Sequence, residues 1–320
     1  CLTRRDLWLG AALGHVSERV LAWRGAAAIR ETVGAWLDLQ LSRTSEPEFA
    51  AGFAQGCPWP SAEPEDYLQR EVSFAGGVAL VGIRFLGGRP DFRFVDLLAH
   101  TAGDDPEALA RACAAGLQGC APFAPLAVRV RQPTGRFVDP PGWRVEVDQH
   151  FLAGRLDELA ELAELAARDL VVPRLTLAPT SPAEAEAFTA AAYAAWAEQD
   201  PQLAAKVSAS TSSELSACHE SGRLDFLLVE GERVGVIGVE RSHDAELEGY
   251  LVEEEVIALP FRGRGIAAQA QGLVAIALAP SAPSALLFGT IDAANRASLR
   301  TAERAGRERV GAYRFFFPPA

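Results

Sequence analysis

Eight consecutive residues, Pro260-Phe261-Arg262-Gly263-Arg264-Gly265-Ile266-Ala267, join two glycines and two arginines to the start of an apolar helical run. Glycines at 263 and 265 permit positive φ and let a ligand approach the main chain closely. A helix starting at Ile266 offers unpaired N–H groups and the positive end of its dipole, which is what a phosphate group needs. Hydrogen bonds to a charged group contribute about 1.5–3 kcal/mol each, so three or four amides suffice to hold a pyrophosphate. Arg262 and Arg264 add positive charge beside them. Ahead of the turn stand Glu253, Glu254 and Glu255; beyond it come Asn295 and Ser298 at a helix start. Period-two alternation puts Glu253 and Glu255 on one strand face and Glu254 on the other, unless a bulge breaks the count. Each feature also has a plain structural reading: a strand-to-helix turn with solvated arginines, a solvated acidic edge, an N-cap asparagine and a helix-surface hydroxyl.

The elements that must position these residues are legible around them. In the second half, Leu175–Leu177 reads as a short strand, with helices over 183–198 and 201–219. Strands follow at 226–229 and 234–239, hinged at Glu230-Gly231, the tightest hairpin signal in the chain. A longer strand over 250–259 leads into the glycine turn and a helix over 266–278. Strand 286–291, helix 295–304 and strand 310–317 complete this half. Antiparallel hairpins running into strand–helix–strand predict a mixed α/β (α+β) architecture rather than a purely alternating wind.

The strand Val256-Ile257-Ala258-Leu259, the turn Arg262-x-x-Gly265-x-Ala267 and the later Asn295-x-x-Ser298, with Gly306 ending that helix, together resemble the GNAT superfamily of N-acetyltransferases. The resemblance covers about residues 173–320. It implies an acyl-CoA N-acyltransferase-like fold, a central mixed, mostly antiparallel sheet flanked by helices, and acetyl-CoA as donor to a primary amine of a small molecule or peptide. It also implies that the amides of Gly263, Arg264, Gly265, Ile266 and Ala267 cradle the pyrophosphate. Backbone groups of Ile257, Ala258 and Leu259 would pair with the pantetheine arm, because this family splays its fourth and fifth strands. Asn295 would face that arm and Ser298 the sulfur. Glu255, by its offset from Leu259, matches the glutamate used as base. The tyrosine common seven residues after the motif asparagine is replaced by Ala302, which leaves Ser298 and Tyr313 as candidate acids. Pro260 and Arg262 stand one residue closer than the family's usual spacing.

Two other readings remain beside it. A non-catalytic acyl-CoA-binding or scaffolding protein would share the turn without the chemistry. Gly263-x-Gly265-x-x-Ala268, with Asp292 past the next strand, also fits a dinucleotide fingerprint and hence an NAD(P)-dependent oxidoreductase. Against the latter, Pro260, Phe261 and Arg262 intervene where that fold turns directly off the strand.

The first half repeats the plan in outline. A helix over 26–41 and a weaker one over 62–72 precede strands at 78–85 and 92–100, joined by Gly87-Gly88-Arg89-Pro90. A helix opens at Asp105-Pro106 and runs to about Leu117, followed by strands at 126–130 and 143–151. Where the phosphate turn should lie stand Asp104, Asp105 and Glu107, which would repel a pyrophosphate. Two tandem domains are expected, a degenerate GNAT-like copy over 1–172 that does not bind the cofactor and a GNAT domain over 173–320. Leu156, Leu159, Leu162 and Leu165 mark a helix over 155–168 that ends at Pro173, with its leucines packed inside the protein.

Length and composition set the outer limits. The chain has 320 residues, 49% of them apolar and 22% charged, the make-up of an ordinary globular protein of about two domains. Forty-two acidic against thirty basic side chains give a net charge of −12, which argues against general affinity for nucleic acid or anionic membranes. Five cysteines form no CxxC pair and no Cys/His cluster, so neither a metal site nor a disulfide framework is expected. With no signal-peptide pattern and no long apolar run, the reading is a cytoplasmic monomer or homodimer.

Overall fold

The structure, a computed structural model, describes residues 3–169, 175–205 and 207–319. In chain order the first half carries helices α1 (Arg4–Leu13), α2 (Glu18–Arg24), α3 (Ala26–Ser42) and α4 (Pro47–Gly56). Strands β1 (Arg70–Phe74), β2 (Gly77–Phe85) and β3 (Arg93–His100) come next, then α5 (Pro106–Gly119), β4 (Ala127–Pro133) and β5 (Arg144–Arg155). The second half carries α6 (Leu156–Asp169), β6 (Leu175–Pro179), α7 (Pro182–Ala197), α8 (Pro201–Ala204), α9 (Ser212–Ser221), β7 (Arg223–Val229), β8 (Glu232–Asp244) and β9 (Leu247–Ile257). It ends with α10 (Ile266–Leu278), β10 (Leu286–Asp292), α11 (Arg296–Arg304) and β11 (Glu308–Phe317).

The chain divides into two compact units, Cys1–Gln149 with Gly311–Ala320, and His150–Val310. The boundary expected at 172/173 falls on residues 170–174, outside the described residues. The division differs from that expectation for a physical reason. Helix α6 packs on α10, with Leu156 and Leu159 in one core with Ala270 and Val274. Strand β11 pairs with β4, Tyr313 opposite Arg131, so the last strand from Gly311 on belongs to the first unit.

Each unit is a mixed sheet with the same internal sequence of pairings. In the first, β1–β2 and β2–β3 are antiparallel, β3–β4 is parallel and α5 makes the crossover. In the second, β7–β8 and β8–β9 are antiparallel, β9–β10 is parallel and α10 makes the crossover, with β6 added beyond β7. Alternating apolar residues fill the cores. Val81, Ile83, Val95 and Val128 meet Leu109, Ala112 and Cys113 of α5 in the first unit. In the second, Ile237 and Val239 meet α6 and α10 on one face. Val236 and Val256 meet Leu215 and Cys218 of α9, with α7, on the other. Both layers are what a half-buried sheet must bury.

Three sequence expectations are corrected. The weak helix over 62–72 is a single 3-10 turn, Pro64–Tyr67, followed by β1, because Arg70–Phe74 gains a ladder against β2 that local propensity does not foresee. The helix over 201–219 breaks into α8 and α9, since Thr211 caps a new start, its hydroxyl accepting from Glu214 N–H. Leu156 and Leu159 are buried as expected, but Leu162 and Leu165 are about half exposed. Cys57, Cys113, Cys120 and Cys218 are free thiols. Among the described residues no His/Cys/Asp/Glu group could hold a metal, and no helix is long and apolar enough to cross a membrane.

Candidate active site

Strands β9 and β10 form a fork. Their parallel register runs from Gly249–Leu286 to Leu251–Phe288, while β9 continues to Ile257 and β10 to Asp292. The close approach at the base depends on Gly249: its φ is 152°, and a Cβ there would lie 2.1 Å from the Leu286 carbonyl oxygen. Above the base, β9 carries a bulge against β8, with Gly238 opposite Glu254 but Val239 opposite Val252, so Glu253 is the extra residue.

The bulge overturns the simple alternation expected for the three glutamates. Glu255 turns to the α10 face, where Gln271 Nε2 donates to its Oε2 at 2.8 Å. Glu254 turns to the other face, accepting from the Tyr193 hydroxyl at 3.2 Å and from Ser210 N–H at 2.9 Å. Glu253 interacts electrostatically with Glu214 of α9, Glu240 and Glu254, so it groups with Glu254 rather than with Glu255. Burial pushes both the Glu255 and the Glu253 carboxyls up to about 7. For Glu255 the Arg307 charge and the Gln271 bond pull in the opposite direction.

The turn between β9 and α10 has the shape its glycines predict. Leu259–Phe261 makes one 3-10 turn, which takes up the short spacing between Pro260 and Arg262. Gly263 and Gly265 both have φ of 77°, and Gly265 is the left-handed N-cap of α10. No side chain caps this helix, and Gln269 N–H donates to the Gly265 carbonyl at 3.2 Å to close its first turn. The N–H groups that precede it are therefore the orphan donors of a helix start. The two arginines differ. Arg262, though exposed, donates from Nε to the Ile257 carbonyl at 2.9 Å and lies over the Trp196 ring, which ties the strand end to the turn. Arg264 is exposed and donates to the Pro260 carbonyl at 2.9 Å.

On the ladder side, Ala258 N–H bonds Val234 C=O, and Ile257 stands opposite Gly235. Backbone groups of alternate residues turn away from an antiparallel partner, so Ile257 directs its N–H and C=O away from β8. Its carbonyl is the one that Arg262 takes.

A cavity of about 520 Å³ opens here. Arg262, Gly263, Gly265, Ile266 and Ala267 border it from the turn, Glu255 and Ile257 from β9, and Asn295 and Ser298 from α11. Ala258, Leu259, Arg264 and Tyr313 are not among its lining residues. Tyr313 lies in the first unit, on β11, with the Arg129 guanidinium 4.0 Å from its ring centre. Asn295 is the N-cap of α11, its Oδ1 accepting from Ser298 N–H at 3.1 Å. Ala302 is fully buried with Leu152 and Leu299, on the core side of α11.

Sequence reasoning missed several lining residues. Tyr193 and Trp196 come from α7, and Arg296, Arg300 and Arg304 ring the mouth from α11. A signal existed for both sets. Tyr193 and Trp196 are three apart in an otherwise alanine-rich helix, and arginines at intervals of four share one helix face. Tyr193 also lines the cavity, as do the hydroxyl residues Ser298 and Thr301; its proton is held more tightly because of burial and the nearby Glu254 charge. The dinucleotide reading fails on two counts: β8 and β9 are antiparallel, and Asp292 accepts from Ala294 N–H at 2.7 Å as a turn residue leading into α11.

No family model matches the sequence, and no curated protein matches it. Solved structures do. A GNAT-family acetyltransferase from Colwellia psychrerythraea aligns with a TM-score of 0.50 at 13% identity, over 87% of this chain and 96% of its own. A GCN5-related N-acetyltransferase from Sphaerobacter thermophilus aligns at 0.46 and 15% identity, over 87% and 96%. Another from Kribbella flavida aligns at 0.42 and 15%, over 86% and 96%. At such identities the likeness speaks to architecture and not to substrate. The mixed sheet and the Colwellia likeness establish that this chain has the fold of the GNAT N-acetyltransferases.

Proposed function

We propose that the second unit transfers an acetyl group from acetyl-CoA to a primary amine of a small molecule or peptide, by direct attack of the amine on the thioester. The observation that carries this reading is the sharing of one cavity by the uncapped α10 start, the open side of β9 and the Glu255 carboxylate. The amides from Gly263 to Ala267 hold the pyrophosphate, and the outward N–H of Ile257 pairs with the pantetheine arm. When bound, acetyl-CoA supplies the activated acetyl group. Glu255, with a carboxyl near neutrality, takes the proton of the incoming amine, directly or through water. Ser298 or Tyr193, both of which line the cavity, returns one to the departing thiolate. The first unit is a copy without cofactor, because its corresponding helix start is already filled by its own side chain.

The test is a thiol-release screen of amines and peptides with acetyl-CoA, preceded by thermal stabilisation. A ligand at a hundred times its Kd adds about 2.7 kcal/mol, an easily resolved shift. Stabilisation with no thiol release from any amine would favour the acyl-CoA-binding scaffold instead.

A further inference from the structure

The base of the β9–β10 fork contains a buried cation to which the proposed acetyl transfer gives no role. Arg307, directly after Gly306, is 4% exposed, and its Nε and Nη1 have no hydrogen-bond partner. It reaches the fork through a gap left by Gly289 of β10. A Cβ on Gly289 would lie 3.4 Å from Arg307 Nη1 and 3.5 Å from the Val252 carbonyl oxygen, beside the β9 bulge. Gln271 of α10 is fully buried and binds Glu255 Oε2, while Gln271 Oε1 and Glu255 Oε1 lack partners. Two unmatched donors on a cation thus share the fork with two unmatched acceptors, one of them on a carboxylate. An unpaired buried guanidinium costs several kcal/mol, so a sequence that places one there needs an opposite charge within reach. Glu255 is that charge: its carboxylate and the Arg307 guanidinium act on each other electrostatically without a direct hydrogen bond from Nε or Nη1.

We propose that Arg307 is a positioning residue: from the base of the β9–β10 fork its buried charge keeps the Glu255 carboxylate, which Gln271 orients by its hydrogen bond, in the charged form a base needs. The inference rests on the reading of Glu255 as the base. On its own face Glu255 meets Gln271 from α10, and the charged or titratable groups that act on it electrostatically are Arg307 from the segment after α11 and, across the strand, Glu254 and Tyr193 of α7. Of these, Arg307 and the Gln271 bond favour the charged carboxylate, and Glu254 opposes it. Burial acts on both members of the pair, lifting Glu255 to about 7 and lowering Arg307 to about 10.

The experiment is an infrared titration of the Glu255 carboxyl, identified by difference against E255Q, in the full-length protein and in R307M and R307K. In R307M the midpoint should rise by about one unit or more, a tenfold or larger loss of the charged form at neutral pH. The acid limb of kcat/KM should move to higher pH by the same amount, with the acetyl-CoA Kd unchanged within twofold. R307K, which keeps the charge, should bring the midpoint back toward the original. An unmoved Glu255 midpoint in folded R307M overturns the proposal. Should R307M fail to fold, the unmutated protein decides: the Arg307 Nε resonance must titrate with the Glu255 midpoint, and independent titration overturns the coupling. A midpoint that moves in a protein releasing no thiol supports the coupling and removes only the catalytic reading.

Discussion

Helix α5 in the first unit and helix α10 in the second each leave the end of a bulged strand that is antiparallel to one neighbour and parallel to the next. In β3 the extra residue is Leu98, between the pairs Val81–Leu97 and Leu80–Ala99, and in β9 it is Glu253. The parallel register of β3 with β4 runs from Phe94 to Leu97, just as that of β9 with β10 stops at Leu251. Counting from the bulge, His100 stands where Glu255 stands. The two helix starts beyond these residues differ. Asp105 caps α5, its carboxylate accepting from Glu107 N–H at 2.9 Å, and Asp104 pairs with Arg136 at 2.7 Å. Gly265 leaves α10 uncapped. At the first helix start the anion is built into the chain, whereas the second keeps its donors for something else. A shared backbone plan therefore does not make a shared site; the side chains at the helix start and at the third place from the bulge decide it.

The largest effect should come from the residue at that third place. Glu255→Gln removes the proposed base while keeping a side chain of nearly the same shape. Turnover should fall by about 10²–10⁴-fold, the usual contribution of a positioned general base. Acetyl-CoA affinity measured by calorimetry should stay the same. Full activity in that variant would take Glu255 out of the mechanism.

Giving α10 the cap that α5 has is the next test. Gly265→Asp puts a carboxylate where the pyrophosphate is proposed to sit, and no heavy atom lies within 4 Å of the new Cβ position. The φ of 77° strains any side chain, though aspartate tolerates it better than most. Acetyl-CoA binding should weaken by about 100-fold or more, equivalent to about 2.7 kcal/mol. In the unmutated chain the calorimetric stoichiometry should be one acetyl-CoA per polypeptide. Two sites would mean that the first unit also binds, against the reading of its filled helix start.

The units should also respond to pH in opposite directions. In the first, His15 and His100 stack at 4.1 Å, and burial lowers both from the ordinary 6.5. A base lowered by folding contributes stability above its unfolded pKa and loses it as protons bind, so this unit should weaken as pH falls below about 6.5. In the second, Glu255 is lifted from 4.5 to about 7. An acid raised by folding contributes stability below its unfolded pKa and loses it as pH rises through about 7, a change of the order of 3 kcal/mol. Hydrogen exchange resolved by unit checks both signs: protection in 1–149 should fall as pH drops below about 6.5, and protection in 150–310 should fall as pH rises from 4.5 to about 7. The slope in the second unit should flatten in E255Q.

How much of this was written in the sequence depends on what each signal rests on. The turn was legible because only glycine takes a φ of 77° without strain, and two glycines ahead of an apolar helix state their purpose locally. The face of each glutamate was not legible, because the bulge at Glu253 carries no residue signature and moves the alternation by one. Asn295 matched the family motif, yet its carboxamide oxygen serves as a helix cap, so the motif and the structural reading coincide in one residue. The partner of β11 was hidden too, since a strand's own pattern says which face it buries and not which neighbour it joins. Arg296, Arg300 and Arg304 were passed over, although their spacing of four puts them on one helix face, because nothing in the sequence shows that this face borders a cavity.

The smallest effect separates the two arginines that the turn motif treats alike. Arg262 joins Ile257 to the turn and stacks on Trp196, so Arg262→Ala removes a hydrogen bond worth about 1 kcal/mol and loosens the strand end that borders the cavity. Both melting temperature and acetyl-CoA affinity should fall. Arg264 lies outside the cavity lining, and its guanidinium bonds the Pro260 carbonyl from an exposed position. An exposed charge of this kind contributes at most about 1 kcal/mol, screened by salt. Arg264→Ala should therefore weaken acetyl-CoA binding by no more than about fivefold, less still at high ionic strength, with stability unchanged. A large loss in R264A with little in R262A would show that the phosphate contact lies on the outer arginine, and the amides would then share their role with a side chain that must swing inward from its bond to Pro260.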